Sequence, residues 1–306
     1  MPFPSSAGHP NYSGNFIPEI WSGKILEKFY DATVLAQIAN TDYEGEIKKF
    51  GDKVHIRTRP TVAIRDYVKG QSLTVDHPDS AGIELLIDKG KYYSFVQDDV
   101  DKVQSDVDLL NLWGQDASEQ MKIVVDSDVL NGIYPDFAAK NRGATAGRLS
   151  NNINLGTTGA PIALDKTNVI DKLIDLGQVF DEQNIPETGR WLILPAWASA
   201  LLKKSDLKDA SLTGDGTSVM RNGRLGMIDR FTVYGSNLLP TAVDGANTVT
   251  RIMAGHKVGL TFASQFVNTE TLRAESTFGS IVRGLKVYGY EVVKPEALAE
   301  LYAYKA

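Results

Sequence analysis

From Lys53 to about Thr61 the chain alternates, with Val54, Ile56 and Thr58 on one side and Lys53, His55, Arg57 and Arg59 on the other. A period of two is the mark of a β-strand, and here one face of the strand is basic. Pro60 lacks a backbone donor, so it fits only an edge or a break. A polar, loop-like stretch containing Gly70, Asp76, Pro78 and Gly82 follows. A second strand-like run then covers Ile83 to Val96, with Leu85, Ile87, Tyr93 and Phe95, and adds Lys89 and Lys91. Residues 46–97 are therefore expected to form an extended loop built as a β-hairpin. A lone two-stranded ribbon is marginal in water, so this one needs a surface to lie on.

The charge pattern suggests what such a surface could be. Residues 46–72 carry seven basic side chains against three acidic ones, a net of +4. Residues 98–128 carry nine acidic side chains against Lys102 and Lys122, a net of −7. A closed assembly could set the basic ribbon of one copy on the acidic segment of the next, where complementary potential fixes register. The expected interface residues are Lys53, Arg57, Arg59, Arg65, Lys69, Lys89 and Lys91 on the loop. Their counterparts are Asp98, Asp99, Asp101, Asp106 and Asp108 in the acidic helix region. As a single folded chain, the same residues read more simply as solvated faces.

The remaining organisation follows from periodicity. Pro2, Pro4, Gly8, Pro10, Gly14 and Pro18 make residues 1–20 an extended arm, and Trp21, Ile25, Leu26, Phe29, Val34, Leu35 and Ile38 predict a short amphipathic helix over 21–39. Apolar or small residues at Val103, Val107, Leu110, Gly114, Ala117, Met121 and Val124 step by four and three, predicting a long helix over 100–133 that ends at Tyr134-Pro135. A stretch rich in Gly, Asn and Thr at 141–159 reads as a loop or interdomain hinge. Residues 166–249 read as an α/β unit, with helices at 168–182 and 196–202 and strands at 190–194 and 231–234. Residues 251–304 read as strand-rich, at 258–266 and 281–293, with a short helix initiated by Pro295 as the last element. The expected divisions are 1–45 for arm and short helix, 46–97 for the loop, 98–165, 166–250 and 251–306.

No constellation of catalytic residues stands out. The chain has no cysteine, which removes thiol nucleophiles, thiolate metal sites and disulfides. His9, His55, His77 and His256 are scattered and make no helical metal pair. Gly214-Asp215-Gly216 and Gly223-Arg224-Leu225-Gly226 lack the strand and helix that a phosphate-binding loop needs. Asp98, Asp99 and Asp101 lack the glycine and distal glutamate of a calcium loop. No signal peptide or membrane span is expected, and neither is a cofactor, a metal or a catalytic residue. A net charge of −6 limits any nucleic-acid contact to local patches.

The order of arm, basic loop, long helix, α/β unit and strand-rich return resembles the HK97-type fold of the major capsid proteins of tailed double-stranded-DNA bacteriophages. The run from Asn222 to Pro240 is similar to a turn pattern of that family, with Arg230 where a glycine is more usual. Ala254 to Leu260, Phe278-Gly279, Arg283 to Tyr290 and Val293 to Leu298 are similar to later family segments. The resemblance implies an α+β fold with an N-terminal arm, an extended β-hairpin loop, a long spine helix with a strand-rich peripheral domain, and an α/β axial domain. It implies a non-enzymatic subunit that self-assembles into hexamers and pentamers of an icosahedral head around double-stranded DNA. Implied partners are other copies of the chain, a separate scaffolding protein, a portal and a decoration protein, with assembly in the cytoplasm of the bacterial host and residence in the virion. An encapsulin-like compartment of the same fold is the alternative, followed by an uncharacterised α/β enzyme.

Overall fold

Arg190-Trp191-Leu192-Ile193-Leu194 forms strand β5, and all five residues are buried. A strand with apolar residues on both sides must be covered on both faces. Leu192 and Leu194 pack with Leu173, Leu176 and Phe180 of helix Val169–Glu182 and with Leu202 of helix Ala196–Lys204. Trp191 and Ile193 pack on the opposite side with Val125, Val129, Leu130 and Ile133 of the long helix Leu109–Ile133.

The computed structural model describes residues 30–44, 53–60, 62–78, 82–104, 109–205, 226–275 and 277–306. The expected arm 1–20, the first part of the expected helix 21–39, the glycine segments before Gly226, and Asp106 and Asp108 lie outside them. Among the described residues three sheets form. The largest runs β4 (Ile162–Leu164), β12 (Leu298–Lys305), β9 (Asn247–His256), β5, β7 (Phe231–Gly235), β6 (Met227–Ile228), with β8 (Thr241–Asp244) also on β9. β5 and β7 are parallel, and β5 and β9 are antiparallel. The second sheet places β11 (Gly279–Val292) between β10 (Leu260–Arg273) and β3 (Lys89–Asp98). The third is the ribbon β1 (Lys53–Arg57) and β2 (Gly82–Leu86), paired from Lys53 with Leu86 to Arg57 with Gly82.

This mixed architecture agrees with the expected α+β class, and four sequence expectations need correction. The amphipathic helix over 21–39 reduces, within the described part, to Leu35–Ile38, because residues 30–34 are non-helical. The run Ile83–Val96 is two strands: β2 pairs with β1, whereas β3 leaves the ribbon and pairs with β11, from Gly279 with Asp98 to Tyr288 with Lys89. The last element is β12, following a short 3₁₀ turn at Pro295–Ala297, and it pairs with β9 and β4. The 141–159 stretch is tied to the core instead of serving as a hinge. Ala146, Ile153 and Leu155 are buried, and the Tyr302 N–H donates to the Leu155 carbonyl at 2.8 Å.

A carboxylate clamps that stretch. Glu182 accepts from the backbone N–H groups of Leu149 (2.7 Å) and Ser150 (3.1 Å). Desolvation opposes ionisation of Glu182, but these bonds outweigh it and hold its carboxyl at about 2, below the ordinary 4.5. With the folded pKa depressed, the clamp contributes fully above about pH 4.5 and is lost as pH falls through about 2. Amide exchange at Leu149 and Ser150 should therefore accelerate over that window in excess of the intrinsic rate. Glu182→Gln should show the faster exchange already at pH 7.

Arg230 solves its turn in an unusual way. Asp229 and Arg230 have φ of 44° and 65°, as a tight two-residue hairpin between β6 and β7 requires. An arginine there costs roughly 1–2 kcal/mol relative to glycine. Its guanidinium offsets part of this by reaching Asp181 (2.7 Å) and Glu187 (3.0 Å), while buried Arg190 holds the other oxygen of Asp181 at 2.8 Å.

Candidate interaction surface

The ribbon follows the alternation in its sequence. Ile56 is buried, Val54 and Thr58 are half-buried, and Lys53, His55, Arg57 and Arg59 are exposed. Its base lies on the chain's own second sheet, where Ile56, Leu85 and Ile87 pack with Ala263 against Val54, Ile83 and Val287. The surface that a lone ribbon needs is thus supplied at the base from within one chain.

Beyond the base, residues 62–78 continue without regular structure. Val62, Ile64, Tyr67, Val68, Leu73 and Val75 are all exposed, Ile64 at 91 %. The stretch is loop-like, as expected, but it is not uniformly polar, because it carries this apolar row. Its signal was the density of apolar residues between two strands, which hydrophobic burial within one chain would not leave in water.

Lys53 reaches Glu84 at 3.6 Å, and Arg65 binds Asp76 at 3.0 Å and the Thr74 carbonyl at 3.3 Å, closing the loop on itself. Arg57, Arg59 and Lys69 are exposed and form no ion pair among the described residues. Lys89 and Lys91 point elsewhere because they belong to β3. Lys91 approaches Asp128 of the long helix at 3.9 Å, and Lys89 lies 4.9 Å from the centre of the Tyr290 ring.

The acidic block is largely engaged by its own chain. Asp99 pairs with Arg273, and Asp98 accepts from the Val100 N–H at 2.9 Å, capping helix Asp99–Gln104. Asp101 falls in that helix. Glu119 holds Lys122, and Asp128 accepts from Tyr288 Oη at 2.8 Å; burial and this bond push the Tyr288 phenol up.

Asp116 and Asp126 hold the chain that enters the fold. Tyr30 Oη donates to Asp116 at 2.9 Å, and Val34 and Leu35 donate their N–H groups to Asp126 at 2.5 and 3.1 Å. Ten residues of helix rise about 15 Å, about the reach of four extended residues, so residues 30–34 run along the helix. Asp126 is 5 % exposed; burial raises its pKa, against the two N–H bonds and nearby Lys286. Asp126→Ala would leave two buried donors unpaired, an expected loss of about 2–3 kcal/mol in chemical denaturation. Asp126→Asn, which keeps an acceptor oxygen, should lose less than half of that.

Among the described residues no group of three His, Asp or Glu side chains is placed to hold a metal. No helix of the described residues is long and apolar enough to cross a membrane.

A sequence model of the family described as phage capsid protein matches residues 84–301. No curated protein matches the chain. Among solved structures, one from Mycobacterium phage Che8 is 27 % identical, covers 94 % of this chain and 97 % of its own, and superposes with a TM-score of 0.77. The capsid structure of cyanophage P-SCSP1u is 16 % identical, with 95 % and 94 % covered and a TM-score of 0.72. The mature capsid of bacteriophage PhiM1 is also 16 % identical, with 94 % and 92 % covered and a TM-score of 0.70.

Proposed function

We propose, from the premise that this chain belongs to the phage capsid protein family, that its exposed loop is the contact through which copies close a shell. The chain is a major capsid protein, a structural subunit and not an enzyme, with the HK97-like fold. It assembles with itself into capsid oligomers, and its place is the capsid of the virion. Neither the encapsulin-like compartment nor the α/β enzyme draws support from the family or the matched structures.

The observation that carries the loop reading is the coincidence, on residues 57–75, of an exposed apolar row with Arg57, Arg59 and Lys69, which have no ion-pair partner among the described residues. Apolar surface of that kind is stabilised when a neighbour covers it, and the cations give the neighbour a direction. Most of the acidic block is spent within its own chain, so its share of the contact is proposed for Asp101, Asp106 and Asp108.

Hexamers and pentamers of an icosahedral head are the closed arrangement proposed for these contacts, with double-stranded DNA inside. The net charge of −6 favours weak, local contact with that DNA. A separate scaffolding protein, a portal and a decoration protein are proposed as partners, and the bacterial cytoplasm as the place of assembly. Negative-stain microscopy of the purified chain, alone and co-expressed with the neighbouring genes of its phage, tests the reading. Closed particles of uniform diameter are expected. A chain that stays monomeric in both preparations would sink it.

A further inference from the structure

Where the long helix ends, a cleft of about 470 Å³ opens between Tyr134-Pro135, the 142–158 loop and the central strands β9 and β12. Its walls carry two guanidinium groups. Arg251, from β9, lies between two aromatic rings, 4.2 Å from the centre of Tyr134 and 4.8 Å from that of Tyr302. It is paired with the buried carboxylate of Glu300. Arg142 is different: its Nη1 donates to the Tyr134 carbonyl at 3.1 Å, and no carboxylate lies within ion-pair distance of it among the described residues.

We propose that this cleft is an oxyanion site that takes one phosphate-sized anion, held by Arg142 with Arg251 as the second cation. The pairing pattern favours an anion. Glu300 lines the cleft but is ion-paired with Arg251, and Asp244 accepts from the Tyr302 phenol (3.3 Å) and the Gly159 N–H (2.6 Å), so Arg142 is the guanidinium of the cleft without an ion pair among the described residues. The chemistry of the walls agrees, because the free N–H groups of a planar guanidinium match the edge of a tetrahedral oxyanion. Thr157 and Thr158 line the same wall.

The cleft is also built to keep its shape. Gly156 has φ of 83°, and a Cβ there would sit 2.3 Å from the Tyr302 carbonyl oxygen, so the loop meets β12 backbone to backbone. Leu155 is fixed from both sides, donating its N–H to the Gly143 carbonyl and accepting from Tyr302, each at 2.8 Å. A bound anion would join the loop, the helix end and the central strands, and so stabilise the folded subunit by mass action. The site is independent of the proposed loop contact and stands or falls by itself.

Equilibrium dialysis of the full-length chain against labelled inorganic phosphate, at fixed ionic strength, tests it. One saturable site per chain is expected, with a melting temperature that rises with phosphate. Arg142→Gln should weaken uptake at least tenfold and remove the rise in melting temperature, and Arg142→Lys should restore it only in part. Arg148→Gln, on the same loop and exposed, should bind like the parent chain. A short DNA duplex that displaces the phosphate identifies a phosphodiester backbone as the source of the anion; failure to displace identifies the free anion. No saturable uptake, or equal uptake by Arg142→Gln, overturns the proposal.

Discussion

Reversing Arg57 and Arg59 to Glu together is expected to cut particle yield at least tenfold while leaving the subunit folded. Both side chains are exposed and make no ion pair among the described residues, so the fold loses nothing by the change. Exposed substitutions of this kind usually move stability by no more than about 0.5 kcal/mol. At an interface the accounting differs. Two reversals swing the loop by four charge units, and setting like charges against each other costs several kcal/mol per contact in a closed assembly. A contact of this sort should also weaken as salt rises and the Debye length falls below about 8 Å. Sedimentation of assembled against unassembled protein, with a melting curve for each variant, separates the outcomes. Normal particle yield from the folded double variant would remove these arginines from the contact.

Gly289→Ala is expected to act on the same loop from its root. Strand β11 passes beneath the end of β2 at this glycine, and an added Cβ would lie 1.9 Å from the Leu86 carbonyl oxygen and 2.8 Å from its carbonyl carbon. Neither is a flexible side-chain end, so one of the two backbones must move. Overpacking of this kind typically costs about 1–3 kcal/mol. The larger effect falls on direction: Leu86 and Ile87 are where the ribbon leaves the sheet, and Ile87 belongs to the small cluster that seats it. A subunit that melts a few degrees lower and assembles poorly is the expected result. Gly90→Ala on neighbouring β3 is the control, since nothing lies within 4 Å of its added Cβ. If both variants assembled equally well, the close crossing would not set the ribbon's direction.

Several parts of the fold were legible before any coordinates. β5 was readable because a five-residue run bounded by Gly189 and Pro195 has little choice but a strand. The helix that packs on it was readable because Leu173, Leu176 and Phe180 recur at helical spacing. The alternation at Lys53–Arg57 gave the ribbon and told which face would be exposed. The resemblance gave the family and the HK97-like fold.

Three features escaped the sequence for a common reason. β12 was hidden behind Pro295 because Leu-Ala-Glu-Leu-Tyr-Ala-Tyr has no clean alternation; it is buried on both faces in the middle of a sheet. Arg230 looked wrong for its turn because the ion pairs that accompany its positive φ come from Asp181 and Glu187, more than forty residues away. The acidic block looked like one surface, yet four of its nine carboxylates are answered by residues far away in the chain: Tyr30, Val34 with Leu35, Arg273 and Tyr288.

The basic ribbon is therefore the part that the sequence determined by itself, since strand period and charge are written in adjacent residues and depend on no distant partner. Where the ribbon stands, and which charges remain for a neighbour, only the tertiary structure decided. β3 pairs with a strand about 190 residues later in the chain. That pairing draws Lys89 and Lys91 onto the subunit's own sheet and leaves Arg57, Arg59 and the apolar row facing outward. Long-range pairing of this kind is set by which buried faces fit together, and local sequence does not encode the fit.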